Sequence, residues 1–309
     1  MNFVSLRKSD PTRTAILRRN FVIEMSRRYS ALMSVSKNSI LDNDCFGLMG
    51  SGIGFAYPEV SDSWKNNIVP IDEYKFAFLQ DKDKVNGFID WFREMELQAL
   101  FQRVYNRGTT TASIWINIYL RYAYIHGIKW ARYQLKADKK SFSILKIPPS
   151  SLNTSAMDIE VAIANKTHLD KINLLYTRSF IDLQGIVAAT DVQLSRVLAE
   201  GIGFGFAPNK IAKEIVSKIS TIGKHRAILL ARTEVIRAHH VASIEEYRRF
   251  GVGKVKITAE WTTAGDSRVC QRCKDIDYKV TGKLWDLDEI EPLIPLHPQC
   301  RCAAVPHIE

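Results

Sequence analysis

Four of the chain's five cysteines fall in one short stretch, as Cys270-Gln-Arg-Cys273 and then His297-Pro-Gln-Cys300-Arg-Cys302. Nothing else in the sequence limits the fold as tightly. A C-x-x-C turn brings two thiols to one point, a common half of a tetrahedral zinc site, and the spacer is long enough for a small hairpin before the second half arrives. Five ligands are offered where zinc takes four. Cys270, Cys273 and Cys300 are the expected core of the set, with His297 or Cys302 as the fourth. Such a zinc would be structural, its binding energy serving as folding energy for a module with little core of its own. The competing readings are four reduced, partly buried thiols beside a packed histidine, or a disulfide made in an oxidising stage. A catalytic zinc needs an open coordination position and a carboxylate base. Asp266, Asp275 and Asp277 are near in sequence, but acids this dense on a polar loop are ordinarily solvated, and no H-E-x-x-H or H-x-E…C-x-x-C arrangement is present.

Around this cluster the periodicity is helical almost throughout. In 12–36, Leu17, Phe21, Met25, Tyr29 and Leu32 recur at spacings of four and three. Phe88, Phe92, Met95 and Ala99 share a face in 84–105. In 109–137 the expected stripe is Trp115, Ile118, Tyr119, Tyr122 and Ile125, with Arg121, Lys129, Arg132 and Lys136 making that helix basic. Between these, 40–80 reads as irregular, with Gly47, Gly50, Gly52 and Gly54 in a row that lacks the Lys-Ser/Thr of a phosphate loop. Two prolines and a polar run at 146–156 read as a linker. The chain is helical again from Met157. Thr190 with Gln193 fits a capping box opening a helix to Glu200. Gly201, Gly203 and Gly205 end that helix, Pro208 starts one reaching about Ile219, and a further helix covers 224–250, stopped by Gly251. His239 and His240 read as a surface pair on it. Alternation from Lys254 to Trp261 is a strand. The expected fold class is therefore α+β, a mostly helical body with a small β-containing, zinc-held module. The expected domains are 1–145, a linker at 146–156, 157–252 and 253–309.

Charge adds partners to this picture. The chain has 43 Lys+Arg against 33 Asp+Glu, a formal net charge of +10, which favours polyanions. The excess lies outside 259–309, where acidic residues outnumber basic ones, and it is marked in 1–40. Arg18, Arg19, Arg27 and Arg28 there are candidates for contact with DNA or a protein partner. No run approaches the roughly 20 apolar residues that span a bilayer, and no secretory signal follows the early basic residues, so folding in a reducing cytosol without membrane contact is expected. No nucleophile elbow or other catalytic constellation is found, and the chain reads as a non-enzyme.

The order of motifs in the last hundred residues is specific. A glycine-containing turn and a helix (199–219) lead to Ala231-Arg232-Thr233-Glu234 in a long helix, then a strand ending in Trp261, Asp266-Ser-Arg268, Cys270-x-x-Cys273 and His297-Pro-x-Cys300-Arg-Cys302. This resembles the phage Mu F-protein-like head morphogenesis family, the minor head or minor capsid proteins. Asp10-Pro11-Thr12-Arg13-Thr14 before a basic amphipathic helix resembles the start of such proteins. Many relatives carry a glycine soon after the C-x-x-C, whereas Lys274-Asp275-Ile276-Asp277-Tyr278 has none. The resemblance implies a structural protein of the capsid interior at the portal vertex, made in the host cytoplasm. Portal protein would be its main partner, with major capsid or scaffold protein and double-stranded DNA as others, and it would assist head assembly, packaging or ejection. The alternatives from other classes are a zinc-supported, nuclease-like enzyme using His297 and a sequence-independent DNA-binding module. Arg232 and Glu234 are two apart and point to different sides of their helix. Arg232 is expected to clamp onto the C-terminal module, with Asp266 as its candidate partner.

Overall fold

A turn tied to Asp10 opens the described chain. The Thr12 hydroxyl donates to Asp10 Oδ1 at 2.8 Å, Arg13 takes a positive φ of 52°, and Arg18 reaches back to pair with Asp10. Helix α1 (Ala15–Leu41) follows. Of its stripe, Phe21, Met25, Tyr29 and Leu32 are buried as the spacing predicts and Leu17 is half-buried, and burial continues to Ile40. The computed structural model describes residues 10–49, 75–77, 79–105, 112–137, 149–251 and 256–308. Most of the glycine-rich 40–80 segment and part of the 146–156 linker lie outside those residues. Among the described residues, no helix is long and apolar enough to cross a membrane.

Helix α2 (Asp81–Leu100) stops short of the expected 105. Arg103–Tyr105 is instead a strand, β1, paired antiparallel with β2 (Ala112–Ile114) in the register Val104 to Ser113. Helix α3 (Trp115–Ala137) starts directly after β2. Its buried set is Trp115, Ile116, Leu120, Tyr124, Ile128 and Leu135, and Tyr122 is exposed. Of the expected stripe Trp115 is buried and Ile118, Tyr119 and Ile125 are half-buried, because this helix is apolar on most sides and periodicity alone does not choose between them. A 3-10 turn (Pro149–Leu152) and α4 (Ala156–Ile163), capped by Ser155, lead to two long helices. These are α5 (Lys166–Gly203) and α6 (Pro208–Phe250).

Both long helices correct the sequence reading. Thr190 opens no helix. It lies inside α5, where its hydroxyl bonds the Ile186 carbonyl at 3.0 Å, the i−4 back-bond of a mid-helix threonine. No break separates 208–219 from 224–250, and α6 runs through Gly223, where a Cβ would stand 2.4 Å from Tyr29 Cγ. The helix ends fall where expected, with Gly205 at φ +64° after α5 and Gly251 N donating to the Tyr247 carbonyl after α6.

The chain divides into two compact units, each drawn from separated segments. One comprises 1–21, 116–179 and 228–309, the other 22–115 and 180–227. In the second unit, Glu96 is fully buried and accepts from the Tyr29 hydroxyl at 3.0 Å and from Thr190 at 3.0 Å. Burial pushes its carboxyl up to about 8, and the two hydroxyl bonds offset part of that shift.

The first unit ends in a three-stranded antiparallel sheet of order β4-β3-β5. β3 (Ile257–Thr262) is flanked by β4 (Leu284–Trp285) and β5 (Ala303–Ile308). Between β3 and β4 lie α7 (Gln271–Asp275) and α8 (Tyr278–Thr281), and α9 (Leu287–Ile290) follows β4. This cysteine-bearing module does not keep a core to itself. Leu135 of α3 and Ile236, Ile244, Tyr247 and Phe250 of α6 join Trp261, Cys273, Cys300 and Cys302 in one buried cluster. Below it, Arg132 donates to Glu246 at 2.7 Å, and His168 meets the same carboxylate at 3.2 Å. Arg132 is thus a buried structural cation and no part of a basic surface. His239 and His240 are buried too, at 2% exposure each. They line the side of α6 turned to the interior, where desolvation lowers both below the ordinary histidine range, His240 to about 4.

Candidate metal centre

The centre is assembled from two short pieces that the sheet brings together. The first begins where β3 ends. Thr263 donates its N–H (3.1 Å) and hydroxyl (2.6 Å) to Asp277 Oδ2, which folds 264–276 into a loop with α7 inside it. Cys270 is the N-cap of α7, its sulfur accepting from Cys273 N at 3.4 Å. The missing glycine after the C-x-x-C is no obstacle, since α7 ends at Ile276 with φ −104°, within reach of any residue. The second piece is the turn before β5, closed by Cys300 N donating to the His297 carbonyl at 3.1 Å.

Where the pieces meet, His297 Nε2 lies 3.3 Å from Cys270 Sγ and 3.3 Å from Cys273 Sγ. Cys273 Sγ lies 4.0 Å from Cys300 Sγ. Ligands sharing a tetrahedral zinc at about 2.3 Å for sulfur and 2.0 Å for nitrogen stand roughly 3.5–3.8 Å apart, so these separations bracket the requirement. The donor atoms of Cys270, Cys273 and His297 lie within 4.8 Å of one another, as do those of Cys273, Cys300 and Cys302. Cys273 belongs to both triads. All five cysteines of the chain are free thiols. His297 Nδ1 is 2.8 Å from the Pro298 carbonyl. A carbonyl only accepts, so Nδ1 carries the proton and Nε2 presents a lone pair toward the two sulfurs, the orientation a metal-binding histidine needs. Among the sulfurs, Cys300 is the one whose thiol is pushed down, because Cys273 and Cys302 bond to its thiolate. The donor set and the histidine tautomer fit a soft-to-borderline cation such as zinc.

Two further contacts hold the pieces, and sequence reasoning named one partner of each. Asp266 does not meet Arg232. It pairs with Arg301, the residue between the last two cysteines, at 2.7 and 2.5 Å, and this fork holds its carboxyl well below the usual range. Arg232 does reach the module, as expected of a clamp, but through Gln299, whose Oε1 accepts from Nη1 at 2.7 Å. Thr233 Oγ1 accepts from Gln299 N at 3.3 Å. Arg301 was legible as the cation inside Cys-Arg-Cys. Gln299 carried no signal, because any residue type satisfies that position of the pattern. Glu234 is buried, with Arg237 at 3.4 Å and Arg178 at 3.6 Å. Trp261 is fully buried on the central strand.

That stretch of chain can be placed among known proteins. Residues 192–305 match the family model described as "Phage Mu protein F like protein". Those residues are a phage Mu F-like segment. The segment takes in the last third of α5, all of α6, strands β3 and β4, the first half of β5 and both halves of the metal centre. It therefore includes the A-R-T-E residues and the H-P-x-C-R-C turn, and over those residues the chain is similar to that family. The likeness of 10–30 to such proteins falls outside it. Comparison with curated proteins and with solved structures gave no match.

The four N-terminal arginines do not share one exposed surface. Arg28 is 1% exposed, lies 4.6 Å over the Trp115 ring, and donates to the Ala99 carbonyl at 2.6 Å and Gln102 at 2.9 Å. Arg18 is buried against Asp10. Arg19 and Arg27 are exposed on α1. The register of the amphipathic helix decides this, since Arg18 stands three residues before Phe21 and Arg28 three after Met25, beside the buried stripe, while Arg19 and Arg27 face away from it.

Proposed function

We propose that the chain is a minor head protein of a bacteriophage, associated with the portal inside the capsid and serving head morphogenesis as a structural part. The Mu F-like match over 192–305 carries this reading. Co-expression with candidate portal, scaffold and major capsid proteins of its phage tests it. The chain should copurify with portal-containing particles, and heads formed without it should be defective. Its absence from such particles would refute the reading. Truncation is a poor probe of the contact surface, because both α1 and 260–309 contribute buried core. Exposed α1 positions such as Ile16 and Arg19 are the places to change.

The centre is proposed to hold one structural zinc through Cys270, Cys273, His297 and Cys300, with Cys302 outside the ligand set. Its nearby acids favour a structural role over a hydrolytic one. Asp266 is engaged by Arg301, Asp277 by Thr263 and Asp275 by Gln271 at 2.6 Å, so each already has an internal partner. Protein purified without chelator should contain about one zinc per chain. Cys300→Ser should lose it and Cys302→Ser should keep it. A metal-free wild-type protein would refute the assignment.

Double-stranded DNA is proposed as a weak, sequence-independent partner, on the net charge of +10 and on exposed cations such as Arg19 and Arg27. Such binding rests on phosphate contacts and is steeply salt-dependent.

A further inference from the structure

The two most distinctive motifs of the Mu F-like segment, A-R-T-E on α6 and H-P-x-C-R-C before β5, meet at one residue. That residue is Gln299. It is held in the left-handed region at φ 65°, a conformation that is unfavourable for a side chain other than glycine, asparagine or aspartate. A strained backbone of this kind persists only where the surroundings over-determine it. Two adjacent residues of α6 supply that constraint. Arg232 Nη1 donates to the Gln299 side chain at 2.7 Å, and Thr233 Oγ1 accepts from the Gln299 backbone N–H at 3.3 Å. Thr233 is itself oriented, since its hydroxyl proton goes to the Leu229 carbonyl at 2.7 Å, leaving an oxygen lone pair for Gln299.

Gln299 stands two residues after His297 and one before Cys300. Its φ sets the direction in which the turn delivers those two side chains. We propose that Arg232 and Thr233 are positioning residues of the metal centre. By gripping Gln299 they hold the His297–Cys300 turn in the geometry that meets Cys270 and Cys273. The inference rests on the zinc reading above and deepens it. The long helix acts as a template for the half of the site that arrives last in the chain, while the Asp266–Arg301 fork ties that half to the first. Outer contacts of this type typically contribute about ten- to a hundred-fold to metal affinity.

The test uses the full chain and zinc alone, with affinity read by competition against a chromophoric chelator. Cobalt(II) serves as a spectroscopic stand-in that reports thiolate coordination. Arg232→Met and Gln299→Leu should each weaken zinc binding about ten-fold or more, and the double variant should be no weaker than the worse single, because both remove one contact. Arg232→Lys, which still offers a donor to Gln299, should recover much of the loss. The helical circular-dichroism signal should be unchanged in all of them, which separates misplacement of the turn from unfolding. A wild type that binds zinc while Arg232→Met and Gln299→Leu bind it equally well would overturn the positioning role and leave the zinc site standing. Additive losses in the double variant would likewise overturn it, as independent damage. A wild type that binds no zinc would overturn the site and the positioning role together.

Discussion

Gly127 of α3 and Gly185 of α5 both lie inside long helices, and the same substitution at each should have opposite signs. Replacing a helix-interior glycine by alanine gains about 1 kcal/mol from backbone entropy when the methyl has room. At Gly185 nothing lies within 4 Å of an added Cβ, so the gain should appear whole. At Gly127 the added Cβ would stand 2.3 Å from the His239 carbonyl oxygen and 2.8 Å from Ala242 Cβ. Those are backbone and short side-chain atoms of α6 that cannot rotate away, so the helices would have to part by roughly 1 Å to reach ordinary contact. Overpacking of this kind costs about 1–3 kcal/mol. Separation also stretches the Ser243 hydroxyl bond to the Gly127 carbonyl, now 3.2 Å, at a further cost of about 1 kcal/mol. The net for Gly127→Ala is about 2 kcal/mol of destabilisation. With roughly 2–4 °C per kcal/mol for a body of this size, calorimetry should show its unit melting about 4–8 °C lower. The unit containing Gly185→Ala should melt about 2–4 °C higher. A Gly127→Ala protein as stable as wild type would refute the backbone-to-backbone packing of α3 on α6.

Three further outcomes are expected. Glu96 is protonated in the folded chain up to about 8 while an unfolded carboxyl ionises near 4.5, so its unit should lose stability as pH rises between those values. Glu96→Gln, which keeps an acceptor for Tyr29 and Thr190, should flatten that slope in urea titrations, and an unchanged slope would place the titration elsewhere. His239 and His240 act in the opposite direction. Their folded values lie below the ordinary 6.5, His240 at about 4, so stability is full above that range and should fall as pH drops through it. His240→Gln, which still donates to the Ile290 carbonyl, should remove part of the acid loss. For DNA, charge reversal at Arg19 and Arg27 should weaken low-salt binding measured by fluorescence anisotropy, with the two losses alike on unrelated sequences. No change would move the contact to other cations.

The sequence made the helices legible and their partners much less so. The α1 stripe was readable because Phe21, Met25, Tyr29 and Leu32 stand out against polar neighbours, whereas α3 has apolar residues on most sides and its inward face depends on what surrounds it. Thr190 matched a capping pattern, but a threonine inside a helix satisfies its hydroxyl equally well on the preceding turn, and the buried Glu96 waiting for it is 94 residues away in sequence. Adjacent histidines look like a surface pair until α6 proves to be enclosed along that stretch. At the metal centre the five candidate ligands were visible from spacing alone, because C-x-x-C and H-P-x-C-R-C are local. What holds them was half visible. Asp266 and Arg232 were singled out, yet each turned to a residue inside the second cysteine motif, and long-range pairing of that kind leaves no local trace.

The interleaving of the two units fixes an order of events during synthesis. Once Ala227 has left the ribosome, every segment of the 22–115 and 180–227 unit is available. The other unit then holds 1–21 and 116–179 but still lacks the second half of α6 and the sheet. Until β3 and β5 arrive, Leu135 of α3, and then Ile236, Tyr247 and Phe250 as they emerge, have no sheet to cover them. For that interval the nascent protein carries an open apolar face on the unfinished unit, and it closes only when the cysteine-rich turn is delivered. A chain halted shortly after Phe250 would leave the ribosome in that state, half native and adhesive, and would be a natural substrate for chaperone or protease.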